Sequence, residues 1–65
     1  MPEGKAVTRA QITAMIIFLK EAAVQTDNAR RVAEGAYDER TKANIAALLR
    51  DQVSEINRLE HLRQA

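Results

Sequence analysis

The chain has 65 residues, no cysteine, one histidine and a formal net charge of +1. That length excludes more than one domain and leaves a core too small for comfortable stability alone. The composition excludes disulfides, gives His61 no companions for a zinc site, and lacks the basic surplus of a general nucleic-acid or anionic-membrane binder.

The start, Met1-Pro2-Glu3-Gly4-Lys5, carries no apolar run of signal-peptide form. The longest apolar stretch, Ala14 to Leu19, stops at Lys20-Glu21, far short of a membrane span. These features predict a cytoplasmic protein with no membrane association.

The first structural signal is a capping box. Thr8 followed three residues later by Gln11 lets each side chain satisfy a backbone N–H at a helix start, and Val7 and Ile12 stand at the spacing of a hydrophobic staple. Helix 1 therefore begins near Arg9. Residues 1–7 are an N-terminal tail, and 8–35 are helix 1 with its cap.

Along helix 1, Ile12, Met15, Ile16, Leu19, Ala22 and Ala23 recur at helical steps and define one face. Toward its end the same face continues through Thr26, Arg30 and Ala33. Gly35 suits the positive φ of a helix C-cap, and Arg30 and Arg31 complement the negative end of the helix dipole.

Residues 36–38 form the turn. Asp38 is the N-cap of helix 2, over 39–64, with Glu39 in its first turn. The apolar face of helix 2 is read as Ile45, Leu48, Leu49, Val53, Ile56, Leu59 and Leu62, with Gln52 set between Leu49 and Ile56. Arg58, His61 and Arg63 lie toward its C-terminus, where a solvated cation is favourable. Each helix then spans roughly 26 residues, about 39 Å.

Two other layouts are open on sequence. Glycine costs only about 1 kcal/mol inside a helix, so the chain is able to run through Gly35 as one rod. A break at Gln25-Thr26-Asp27-Asn28, whose polar side chains compete for the backbone, gives three helices instead.

The predicted fold class is all-α: an antiparallel two-helix hairpin that self-associates into a helical bundle, a four-helix bundle if the assembly is a dimer. The reason lies in Met15, Ile16, Ile17, Phe18 and Leu19. Consecutive apolar residues cover more than one side of a helix, and one partner helix buries only one stripe. The expected oligomer interface is Met15, Ile16, Ile17, Phe18 and Leu19 with Gln52, Ile56 and Leu59. Val24 lies on the Ile17 side. Gln52 is expected to fix register or oligomer state through a buried hydrogen bond.

One cluster suggests a ligand. In a hairpin, Arg30 neighbours Tyr37, Lys42 and Asn44, with Thr26 one turn back. A guanidinium, an ammonium, a phenol and an amide converging at a subunit junction suit a phosphate or carboxylate. The ordinary alternative is that Arg30 pairs with Glu34, Arg31 with Asp27, and Tyr37 packs over the turn.

Catalysis finds no material: no nucleophile elbow, no phosphate-cradling glycine loop and no metal-ligand spacing. We expect no enzyme, no cofactor and no metal. The function predicted is non-catalytic binding by a small helical oligomer, a regulator or inhibitor acting through another protein, with Arg50, Asp51, Glu55 and Arg58 giving specificity. The alternatives are sequestration of an anionic small molecule such as a nucleotide at subunit junctions, and nucleic-acid binding on the outside of a four-helix bundle. With Phe18 and Tyr37 as its only aromatics, the chain has little with which to stack bases.

Overall fold

The computed structural model describes residues 7–35 and 37–64. It contains helix α1, Arg9–Ala33, and helix α2, Glu39–Gln64, folded back on each other as an antiparallel hairpin. The expected tail lies outside the described residues except for Val7, and so does Ala36 of the turn.

The start of α1 is fixed as its sequence demands. Thr8 Oγ1 accepts from the Gln11 N–H at 3.0 Å, and Gln11 Oε1 accepts from the Thr8 N–H at 2.8 Å. The helix then runs unbroken through the polar run Gln25 to Asn28. Asp27 explains why. Its carboxylate takes the guanidinium of Arg30 at 2.9 Å and that of Arg31 at 3.0 Å, so it bridges forward along the helix surface instead of competing for backbone N–H groups. The three-helix and single-rod layouts are thereby set aside.

The end of α1 departs from expectation. Glu34 closes the helix in right-handed backbone, φ −65° and ψ −19°, with its N–H donating to the Arg30 carbonyl. The Gly35 N–H donates to the Val32 carbonyl at 3.2 Å, and the φ of Gly35 lies outside the positive range. No left-handed cap forms at Gly35. The helix ends by tightening into a three-residue hydrogen bond instead.

Asp38 performs the expected capping of α2. Its Oδ1 accepts from the N–H groups of Arg40, at 3.0 Å, and Thr41, at 3.3 Å, while Thr41 Oγ1 donates to its Oδ2 at 2.6 Å. Those bonds favour the ionised carboxyl, so its pKa is lowered, with the Thr41 hydroxyl the largest cause.

The core occupies the end of the hairpin distant from the turn. Ile12, Ile16, Ile56 and Leu59 are buried together, with Leu19 and Ala23 packed against them. Two polar links between the helices set the same register: Lys20 Nζ to Glu60 Oε2 at 3.1 Å, and Arg63 Nη1 to Thr13 Oγ1 at 3.5 Å.

The seam follows a strict alternation of three- and four-residue steps. On α1 the buried and half-buried positions include Ile12, Ile16, Leu19, Ala23, Thr26, Arg30 and Ala33. On α2 they include Lys42, Ile45, Leu49, Gln52, Ile56, Leu59 and Arg63. This is the spacing of a coiled coil.

The α2 face read from sequence is corrected by this pattern. Leu48, Val53 and Leu62 are 51%, 44% and 47% exposed, so they flank the seam, and Lys42 and Arg63 take seam positions at its two ends. A charged residue at the end of a seam buries its aliphatic stem and keeps its head in water. Met15, placed on the α1 face by sequence, is likewise at the seam's edge and exposed.

Candidate interaction surface

At the turn end, the structure shows where each predicted ligand-binding residue stands. Arg30 and Lys42 line one shallow hollow of about 340 Å³, together with Glu34, Glu39, Ala43 and Ala46. Tyr37, Asn44 and Thr26 do not line it. Tyr37 is fully exposed, so it does not pack over the turn. Asn44 points outward, and Thr26 is half-buried in the seam.

The two cations in the hollow already have acids beside them. Arg30 Nη1 meets Glu34 Oε2 at 2.8 Å, and its Nε donates to Asp27 Oδ1 at 3.0 Å. Lys42 Nζ meets Glu39 Oε2 at 3.0 Å. The Arg30 hydrogen bond lowers the pKa of Asp27, with Coulomb attraction to Arg30 and Arg31 adding to it and partial desolvation opposing it. The Arg30–Glu34 and Arg31–Asp27 pairs expected from helical spacing are both present.

On the outer side of α2, Glu55 and Arg58 form a two-pronged ion pair, with Nε to Oε1 at 2.9 Å and Nη2 to Oε2 at 2.6 Å. The Arg58 bond lowers the Glu55 pKa, and the same contact raises that of Arg58. His61 is exposed, and its Nδ1 lies 2.9 Å from the Asn57 carbonyl oxygen, within hydrogen-bond distance. Among the described residues, no group of three or more His, Cys, Asp or Glu side chains is arranged to hold a metal ion. Among the described residues, likewise, no helix is long and apolar enough to cross a membrane.

The open end carries the larger feature. Of the predicted interface residues, Ile16, Ile56 and Leu59 are buried within the chain's own seam, and Leu19 and Gln52 are half-buried there. Met15, Ile17 and Phe18 point outward, at 38%, 51% and 68% exposure. Val7, Val24, Leu48, Val53 and Leu62 are also exposed. Many exposed apolar side chains around a narrow core mark a surface for association.

Gln52 adds a second unusual feature. Its Oε1 is shut off from solvent and has no hydrogen-bond partner. The sequence indicated a buried hydrogen bond there, and within the single chain Oε1 takes no part in one.

Comparison with family models, with curated proteins and with solved structures gave no match.

Proposed function

We propose that this chain is a non-catalytic helical binding protein that works as an oligomer, a four-helix bundle if two hairpins join, and that acts on a protein partner. One observation supports it above the others. The buried core is four large aliphatic side chains, Ile12, Ile16, Ile56 and Leu59, whereas a longer series of large apolar residues, including Ile17, Phe18 and Val24, faces water. Burial of a large aliphatic side chain contributes about 1.5–3 kcal/mol, and ordering each residue's backbone costs about 1–2 kcal/mol. So narrow a core does not hold two long helices in place unaided. Covering the outer apolar residues with further copies supplies the missing burial.

The exposed charges of α2 offer specificity to a partner once the bundle exists. Arg50, Asp51 and the Glu55–Arg58 pair lie on the side of α2 away from the seam or at its margin. An anion trap at the turn has less behind it, since two cations facing two acids leave that hollow without a positive surplus. The small aromatic content and near-neutral charge give nucleic-acid binding no comparable support.

Sedimentation combined with circular dichroism, from low to high micromolar chain, tests the reading. Mass and helicity are expected to rise together to an oligomeric plateau. A chain that is fully helical and monomeric at every concentration would refute it. For the partner, charge reversal at Arg50 and Asp51 is expected to abolish capture while leaving the mass unchanged. If every capture-defective variant were a monomer, the partner surface would not be on α2.

A further inference from the structure

Helix α1 carries a second heptad-spaced stripe outside the hairpin seam. Gln11, Met15, Phe18, Ala22, Gln25 and Ala29 follow one another at four- and three-residue steps, the alternation that lets one helix lock its side chains into another. Two shallow hollows lie along this stripe and share Phe18 as their common wall. One, of about 460 Å³, is lined by Val7, Gln11, Ala14, Met15 and Phe18. The other also takes in Glu21, Ala22, Val24 and Gln25.

A projecting side chain beside a hollow of matching chemistry is the condition for a two-fold contact, in which each copy supplies both parts. We infer that a second copy of this chain docks on α1 in antiparallel orientation, with Phe18 of each hairpin seated in the hollow over Ala14 and Met15 of the other. This rests on the oligomeric reading above and names the surface that makes the oligomer.

Charge selects between the hollows. The first holds no charged side chain. The second is walled by Glu21, and antiparallel pairing centred there brings the two Glu21 carboxylates to nearly the same level across the axis. Centring on the first hollow pairs Met15 with Phe18 and keeps Glu21 away from its own copy.

The occupant follows from the core. One hairpin buries four large aliphatic side chains, Ile12, Ile16, Ile56 and Leu59, while Phe18 and Met15 stand exposed beside an uncharged hollow, and a second copy brings the same ring and the same hollow in reverse order.

The test compares Phe18→Asp with Val32→Asp in the full chain. Both put the same charge at a largely exposed residue of α1, but Val32 stands at the turn end and lines neither hollow. Phe18→Asp is expected to weaken dimerisation about 100-fold or more, since each dimer loses two buried rings and gains two charges. Val32→Asp is expected to leave the dimer in place. Because folding and assembly are coupled, cysteine placement supplies an independent readout. The natural chain has no cysteine, so Met15→Cys chains are expected to join through a short thiol cross-linker while Ser54→Cys chains stay single. A wild-type dimer that survives Phe18→Asp, or that links through Ser54→Cys and not Met15→Cys, overturns this interface and leaves the oligomeric reading standing. A wild-type monomer that is fully helical overturns both.

Discussion

Replacing Gln52 with leucine puts the polar level of the seam to a quantitative test. Gln52 sits between Leu49 and Ile56 at a position that faces inward, and its Oε1 is buried without a partner. A buried acceptor left unmatched costs about 1–3 kcal/mol. Leucine is close to glutamine in size, so the substitution avoids most of the penalty of overpacking. The net gain is about 1–2 kcal/mol. At an unfolding entropy of about 2.1 cal/mol/K per residue, that gain raises the midpoint by about 7–15 °C for a chain of this length. Thermal circular dichroism at one fixed chain concentration measures it, because the midpoint of an oligomer shifts with concentration. A lower midpoint would show that Oε1 is paired in solution and that its isolation within one chain is the wrong basis for the energy. Mass measured on the same samples separates the outcomes, since a polar residue in a seam also restricts oligomer state.

Gly35→Ala is expected to stabilise the chain by about 0.4–1 kcal/mol, because an added Cβ meets only the Val32 carbonyl at 3.6 Å and φ is not positive; denaturant midpoints read the change. Thr8→Ala removes the side-chain acceptor of the capping box and is expected to cost about 1 kcal/mol in the same assay, with helicity lost at the α1 start. Acid is expected to weaken the fold. The carboxyls of Asp27, Asp38 and Glu55 all have lowered pKa values, so their contribution is complete above the ordinary carboxylate range and is lost as pH falls below about 4. Asp38→Asn keeps an acceptor at the cap and is expected to flatten part of that acid limb, which a pH series of unfolding midpoints checks.

The starts of both helices were legible because N-capping is local chemistry. Thr8 with Gln11, and Asp38 with Thr41, act across three residues, and nothing distant decides whether the bonds form. Gly35 was misread for the complementary reason. A glycine permits a left-handed backbone without requiring one, and here the Val32 carbonyl already takes the Gly35 N–H. The seam of α2 was only partly legible. Choosing its most apolar residues selected Leu48, Val53 and Leu62, while the alternation that the partner helix imposes selected Lys42, Gln52 and Arg63. Hydrophobicity identifies what prefers burial, and geometry decides which side chains one helix is able to cover.

The two ends of the hairpin are held by different physics, and this division bears on function. The open end rests on aliphatic packing of Ile12, Ile16, Ile56 and Leu59, which salt does not screen. Toward the turn, the seam runs through Thr26 and Arg30 on α1 and Lys42 on α2, and local ion pairs such as Arg31–Asp27 and Lys42–Glu39 surround it. Exposed pairs of that kind are weak and screened by salt. Apolar burial is therefore concentrated at the end where Phe18 projects, the same end to which the proposed second copy docks. In the proposed dimer the turn end, with a fully exposed Tyr37 and its interleaved charges, stays free for other contacts.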